Sequence, residues 1–170
     1  MEDAVPFASR EFNFMLLILL FSRGADFLST WIATPNLILE GNPLAKKLGW
    51  KLGLAVNLVL CITFAFVPFT AIIICTTSLL VAARNFQNAW LMRTLGEERY
   101  RDWYVARLIE TPTALYLFCL ASQTLLYALV GGALIYFGQY QIPVAIGVGL
   151  VAYAATVLFY TLLSVWRIRR

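Results

Sequence analysis

The sequence predicts an all-α fold, a polytopic membrane bundle of four transmembrane helices, and three observations predict it. Hydrophobic residues fill 61% of the 170 positions and charged residues only 13%, with a mean hydropathy of +0.78, well outside the composition of a soluble domain. Long charge-free runs recur, from Leu52 to Ala83 and from Thr111 to Trp166. Basic residues gather mostly in short segments between those runs, where orientation in a bilayer accounts for them.

The net charge of +4 therefore points to a membrane surface and gives no reason to expect nucleic acid as a partner. Cys61, Cys75 and Cys119 sit in apolar runs without C-x-x-C spacing, so they read as small buried hydrophobes. The chain contains no histidine, which removes the commonest general base and the usual zinc and haem ligand. No cofactor and no metal is expected.

The first span is expected over residues 12–33. The apolar core from Phe14 to Phe21 is short for a signal peptide and lacks a net positive start, so this segment is read as retained. Arg23 falls about 16 Å along the helix, roughly half the hydrocarbon thickness. At 100° per residue Ser29, Ser22, Asp26, Thr30 and Arg23 share an arc of about 120°, facing the bundle. Thr34-Pro35 ends the helix. Leu37, Ile38, Leu39 and Leu44 make the following connector too apolar for a solvated loop, so it is expected to be partly buried or re-entrant, with Glu40 and Asn42 satisfying its backbone or reaching Arg23.

Lys46, Lys47, Trp50 and Lys51 mark an interface before a second span over 52–83, with Pro68 as its kink and a polar stalk beyond. Glu97 and Glu98 suit the first turn of a helix, and residues 97–109 read as an amphipathic helix in the headgroup region. Trp90 ahead of it and Tyr100, Trp103 and Tyr104 within it are the expected interfacial aromatics. Thr111-Pro112 opens a third span over 112–137; the turn Gly138 to Pro143 leads into a fourth over 143–166. Gly131, Gly132, Ala145, Gly149 and Ala152 offer small surfaces for close approach. Four spans put Arg10, the five arginines from Arg84 to Arg107 and the three at the end on one side, nine basic residues against the three lysines, so both termini are expected in the cytoplasm, in a prokaryotic inner membrane.

Asp26-x-x-Ser29-Thr30, followed by Glu40-x-Asn42-Pro43-Leu44 before a long apolar helix, resembles a family of small bacterial and archaeal integral membrane proteins catalogued as a domain of unknown function. The resemblance covers residues 12–83 and implies a helical membrane fold with a shared polar locus, without an activity to carry over.

Arg23 and Asp26 are expected to form an intrahelical i,i+3 ion pair, as buried charges normally do. Asp26, Glu40 and Asn42 offer an incomplete oxygen shell for a cation, which Arg23 repels. Glu97-Glu98 invites comparison with intramembrane prenyl-protein proteases, but that chemistry needs histidine. The expected function is thus a non-catalytic accessory subunit of a membrane complex or a homo-oligomer, with the lipid bilayer and other membrane subunits or itself as partners. The alternative is binding or transport of a small ion or polar solute at the locus of Arg23, Asp26, Ser29, Thr30, Glu40 and Asn42.

Overall fold

The structure, a computed structural model, describes residues 4–169. Glu2, Asp3 and Arg170, part of the charge pattern above, lie outside them. The described chain forms six helices: α1 (Arg10–Ala33), α2 (Pro43–Phe64), α3 (Pro68–Leu95), α4 (Glu97–Glu110), α5 (Thr113–Phe137) and α6 (Gln141–Arg169). All but α4 are long and apolar enough to cross a membrane, so there are five such helices where the sequence suggested a four-helix bundle.

The difference lies at residues 52–83, expected as one kinked span. Proline disfavours the helical region for the residue before it, and Val67 is accordingly extended (φ −123°, ψ 90°), with Pro68 opening α3 at its first position. The chain reverses there instead of kinking. Each half reaches its length by recruiting polar flanks. α2 starts at Pro43 and carries Lys46, Lys47 and Lys51, with a break at Gly49 (φ 65°, ψ −174°). α3 runs on through Arg84, Asn85 and Arg93. A window that stops at charges sees neither extension.

Caps follow local chemistry. The Ser9 hydroxyl accepts the Phe12 amide at 3.1 Å, and the Asn42 side chain accepts the Leu44 amide at 2.9 Å ahead of Pro43. Gly96, at φ 80°, turns α3 into α4, a conformation glycine adopts without steric cost.

α1 and α3 lie side by side and parallel: the Val5 amide donates to the Phe66 carbonyl at 2.9 Å, and Ser29 near the other end meets Asn85. α2 returns antiparallel on α1, its Trp50 ring 5.0 Å from that of Phe27. α6 packs on α3, and α5 folds back on α6. The lateral order is α2, α1, α3, α6, α5, a row with α3 at its centre in which α2 also touches α3.

Two apolar clusters hold the row. One joins Phe12 and Leu19 to Cys61, Ala65, Ala71 and Cys75; the other joins Leu120 to Tyr153 and Val157. Cys61 and Cys75 are buried, but Cys119 is exposed on the outer face of α5, so it is not the buried hydrophobe expected. α4 does form, yet Glu97, Tyr100 and Leu108 are its buried residues. Its inner face therefore carries a carboxylate, and the two-faced helix read from the sequence at 97–109 does not describe it.

Five long helices in place of four also change the parity. Val5 lies beside Phe66, whereas Arg169 bonds Thr113, Leu108 and Thr111. The two chain ends therefore lie at opposite ends of the bundle, not on one side.

Candidate polar site

Arg23 is the centre of the bundle's polar interior. Its Nε donates to Asn57 Oδ1 at 2.8 Å, and Nη2 donates to the same oxygen. Nη1 donates to Asp26 Oδ2 at 2.9 Å and to Ser78 Oγ at 3.1 Å. One guanidinium thus ties α1 to itself, to α2 and to α3. The planar fork of arginine is what permits this, since it presents donors in three directions that a lysine ammonium on a flexible stem does not fix. The Asn57 amide nitrogen is in turn spent on the Gly53 carbonyl at 2.7 Å.

One helical turn on, Ser29 is fully buried and donates to the Asp26 carbonyl at 2.8 Å. Asn85 Nδ2 then donates to Ser29 Oγ at 3.3 Å and Thr30 Oγ1 at 3.2 Å. The polar arc on α1 is therefore bonded chiefly across to α3.

Glu40 and Asn42 stand apart from it. Glu40 Oε1 accepts the Asn42 amide at 2.7 Å, and Asn42 caps α2. Both bonds are local because the turn before Pro43 has its own orphan donors to satisfy. Asn57, Ser78 and Asn85, which complete the site, were missed. The available signal was a lone amide at Asn57 in an otherwise apolar run, since a polar side chain in a span needs a partner.

A second carboxylate organises the connector. Glu97 Oε2 accepts the Thr34 hydroxyl at 2.5 Å and the Ile38 amide at 2.9 Å. Oε1 accepts the Asn36 amide at 2.8 Å and its side-chain nitrogen at 3.0 Å. Between these donors Leu37 is held at φ 57°, a left-handed conformation costing about 1–2 kcal/mol for a non-glycine residue. Trp50 adds a bond from its indole nitrogen to the Pro35 carbonyl at 2.8 Å. The connector is partly buried because α4 supplies an acceptor for its backbone.

Burial opposes ionisation of Glu97, but the Thr34 hydroxyl and the donors of Asn36 and Ile38 outweigh it and hold the carboxyl below its ordinary value of 4.5. A pKa lowered by folding contributes stability above the unfolded value and loses it as pH falls through the folded one. Exchange of the Asn36 and Ile38 amides is accordingly expected to accelerate as pH drops below about 4.5, once corrected for intrinsic rates. Glu97→Gln at neutral pH should release the connector at a cost of about 2 kcal/mol, because an amide nitrogen replaces one acceptor facing two donors. Unchanged exchange in Glu97→Gln would remove Glu97 as the anchor.

Of the four interfacial aromatics, Trp90 and Trp103 are exposed and Tyr100 is buried. The Tyr104 hydroxyl meets that of Tyr116 on α5 at 3.0 Å. Burial, together with that neighbour, raises the Tyr104 pKa. These two tyrosines pack α4 onto the bundle. At the other end of α4, Arg169 donates to the Leu108 and Thr111 carbonyls at 2.6 and 2.7 Å and to the Thr113 hydroxyl at 2.5 Å, satisfying carbonyls that a helix end leaves open.

No family model, no curated protein and no solved structure matches this chain. The resemblance over residues 12–83 thus rests on its motif alone. The structure sets Asp26, Ser29 and Thr30 of that motif on one network and places Glu40 and Asn42 outside it.

Proposed function

We propose that this chain is a non-catalytic integral membrane protein that works by docking, against a second copy or another membrane subunit. The observation carrying this reading is that Arg23 spends its donors on Asp26, Asn57 and Ser78 from three helices. Such a network fixes helices to one another and leaves its charge little capacity for a substrate. α2 and α5, at the two ends of the row, keep long exposed apolar faces, including Leu58, Val59 and Ile62 on one and Phe118, Leu125 and Leu129 on the other.

The end bearing Lys46, Lys47, the arginines of α4, Arg167 and Arg169 is assigned to the cytoplasm, because the opposite end offers Arg10 as its basic residue among those described. The N-terminus is then external. α4 lies at the cytoplasmic surface.

Cys119 provides the test, being exposed on α5 while Cys61 and Cys75 are buried. Mild oxidation and lysine-directed crosslinking in native membranes are expected to yield a defined dimer or heteromeric band. A chain that stays monomeric under both treatments, and purifies alone in mild detergent, counts decisively against docking.

A second reading, binding of a small ion or polar solute, is favoured by one feature: the Asp26 side chain remains 18% exposed. It requires Asp26→Asn to abolish ligand-dependent thermal stabilisation while leaving the fold intact.

A further inference from the structure

All five tryptophans fall toward the basic end of the bundle: Trp31 closes α1, Trp50 follows the break in α2, Trp90 lies late in α3, Trp103 is in α4 and Trp166 ends α6. Indole rings favour the headgroup level of a bilayer. At that end a cleft of about 480 Å³ opens between the connector, the last turn of α3 and the first turn of α4. Ala33, Ile38, Met92 and Leu95 give it an apolar wall, and Arg93 and Arg99 are its cations. Both arginines are exposed, and neither belongs to an ion pair among the described residues. Arg93 instead lies over the half-exposed Trp31 ring, 5.9 Å from its centroid.

Two carboxylates also line the cleft, and they differ. Glu97 has both oxygens committed to Thr34, Asn36 and Ile38. Glu98 is exposed and competes with an incoming anion.

We propose that this cleft binds the headgroup of an anionic phospholipid, with Arg93 and Arg99 holding its phosphate. The apolar wall and the Trp31 ring under Arg93 distinguish a lipid from a free anion, since they offer the glycerol backbone and acyl chains a surface leading away from the phosphate. Arginine suits the phosphate through paired N–H donors. The site is independent of whether the protein docks to another subunit.

The test is native mass spectrometry of the full chain in detergent, titrated with phosphatidylglycerol, phosphatidylcholine and inorganic phosphate. Phosphatidylglycerol is expected to bind in preference to phosphatidylcholine. Arg93→Gln and Arg99→Gln should each weaken it roughly fivefold, the value of one basic side chain at an anionic surface. Glu98→Gln should tighten it. Should the arginine variants fail to fold, Glu98→Gln decides alone, and an unchanged affinity there overturns the site. Equal binding of the two lipids, or competition by inorganic phosphate at the concentration of lipid used, overturns the assignment to an anionic phospholipid.

Discussion

Replacing Arg23 by leucine is expected to destabilise the bundle by about 3 kcal/mol, the lower end of what breaking a buried ion pair costs. The lower end applies because the Arg23 and Asp26 side chains are 29% and 18% exposed. The loss comes less from the missing attraction than from what stays behind. Asp26 loses its cation, and Asn57 Oδ1 and the Ser78 hydroxyl oxygen lose their donor. Replacing Asp26 and Asn57 as well should therefore restore much of the stability, since of the three partners left behind the Ser78 hydroxyl then remains alone. The triple variant Arg23→Leu, Asp26→Leu, Asn57→Leu is expected to melt closer to the wild type than Arg23→Leu does. Unfolding in detergent, followed by tryptophan fluorescence, measures both. An Arg23→Leu protein as stable as the parent would show that the network does not hold the three helices together.

Gly131→Leu should cost about 2–3 kcal/mol by overpacking, through contacts that cannot relax by a side-chain rotation. A Cβ at Gly131 stands 2.7 Å from the Gly147 carbonyl oxygen and 2.9 Å from Val151 Cγ2. The contact is reciprocal, for a Cβ at Gly147 stands 2.6 Å from the Gly131 carbonyl oxygen. Backbone faces backbone here, so α5 and α6 must separate to admit a side chain. Gly132 is the internal control, because a Cβ there meets nothing within 4 Å. Gly132→Ala is expected to leave stability unchanged or raise it slightly, as alanine favours the helix. If both variants melt alike, close approach at Gly131 is not what joins these helices.

The same pair illustrates what a single sequence conveys. Gly131 and Gly132 were both readable as small surfaces, but which one meets α6 depends on the rotation of α5 about its axis. Rotation is set by packing, and nothing local encodes it. The polar site divides in the same way. Arg23, Asp26, Ser29 and Thr30 share a face by helical geometry alone, so their grouping was legible. Asn57 lies 34 residues from Arg23 and Ser78 lies 55, and no spacing rule links them. For Glu40 and Asn42 the sequence left two tasks open, satisfying their own backbone or reaching Arg23, and the orphan donors of their turn decided for the first.

The chain's amino-acid order by itself determined that the protein is helical and apolar enough for a bilayer, where α1 ends, where α5 and α6 turn, and which face of α1 is polar. These follow from composition, proline and glycine, and the 3.6-residue repeat, all of which act locally. Tertiary structure decided that residues 52–83 belong to two helices, that Glu97 anchors the connector, and that the chain's ends lie at opposite ends of the bundle. Each of those depends on groups distant in the chain satisfying one another: a helix recruits lysines or arginines into its ends only when its neighbours fix how far it must run, and a carboxylate becomes an anchor only when another segment brings unsatisfied donors to it.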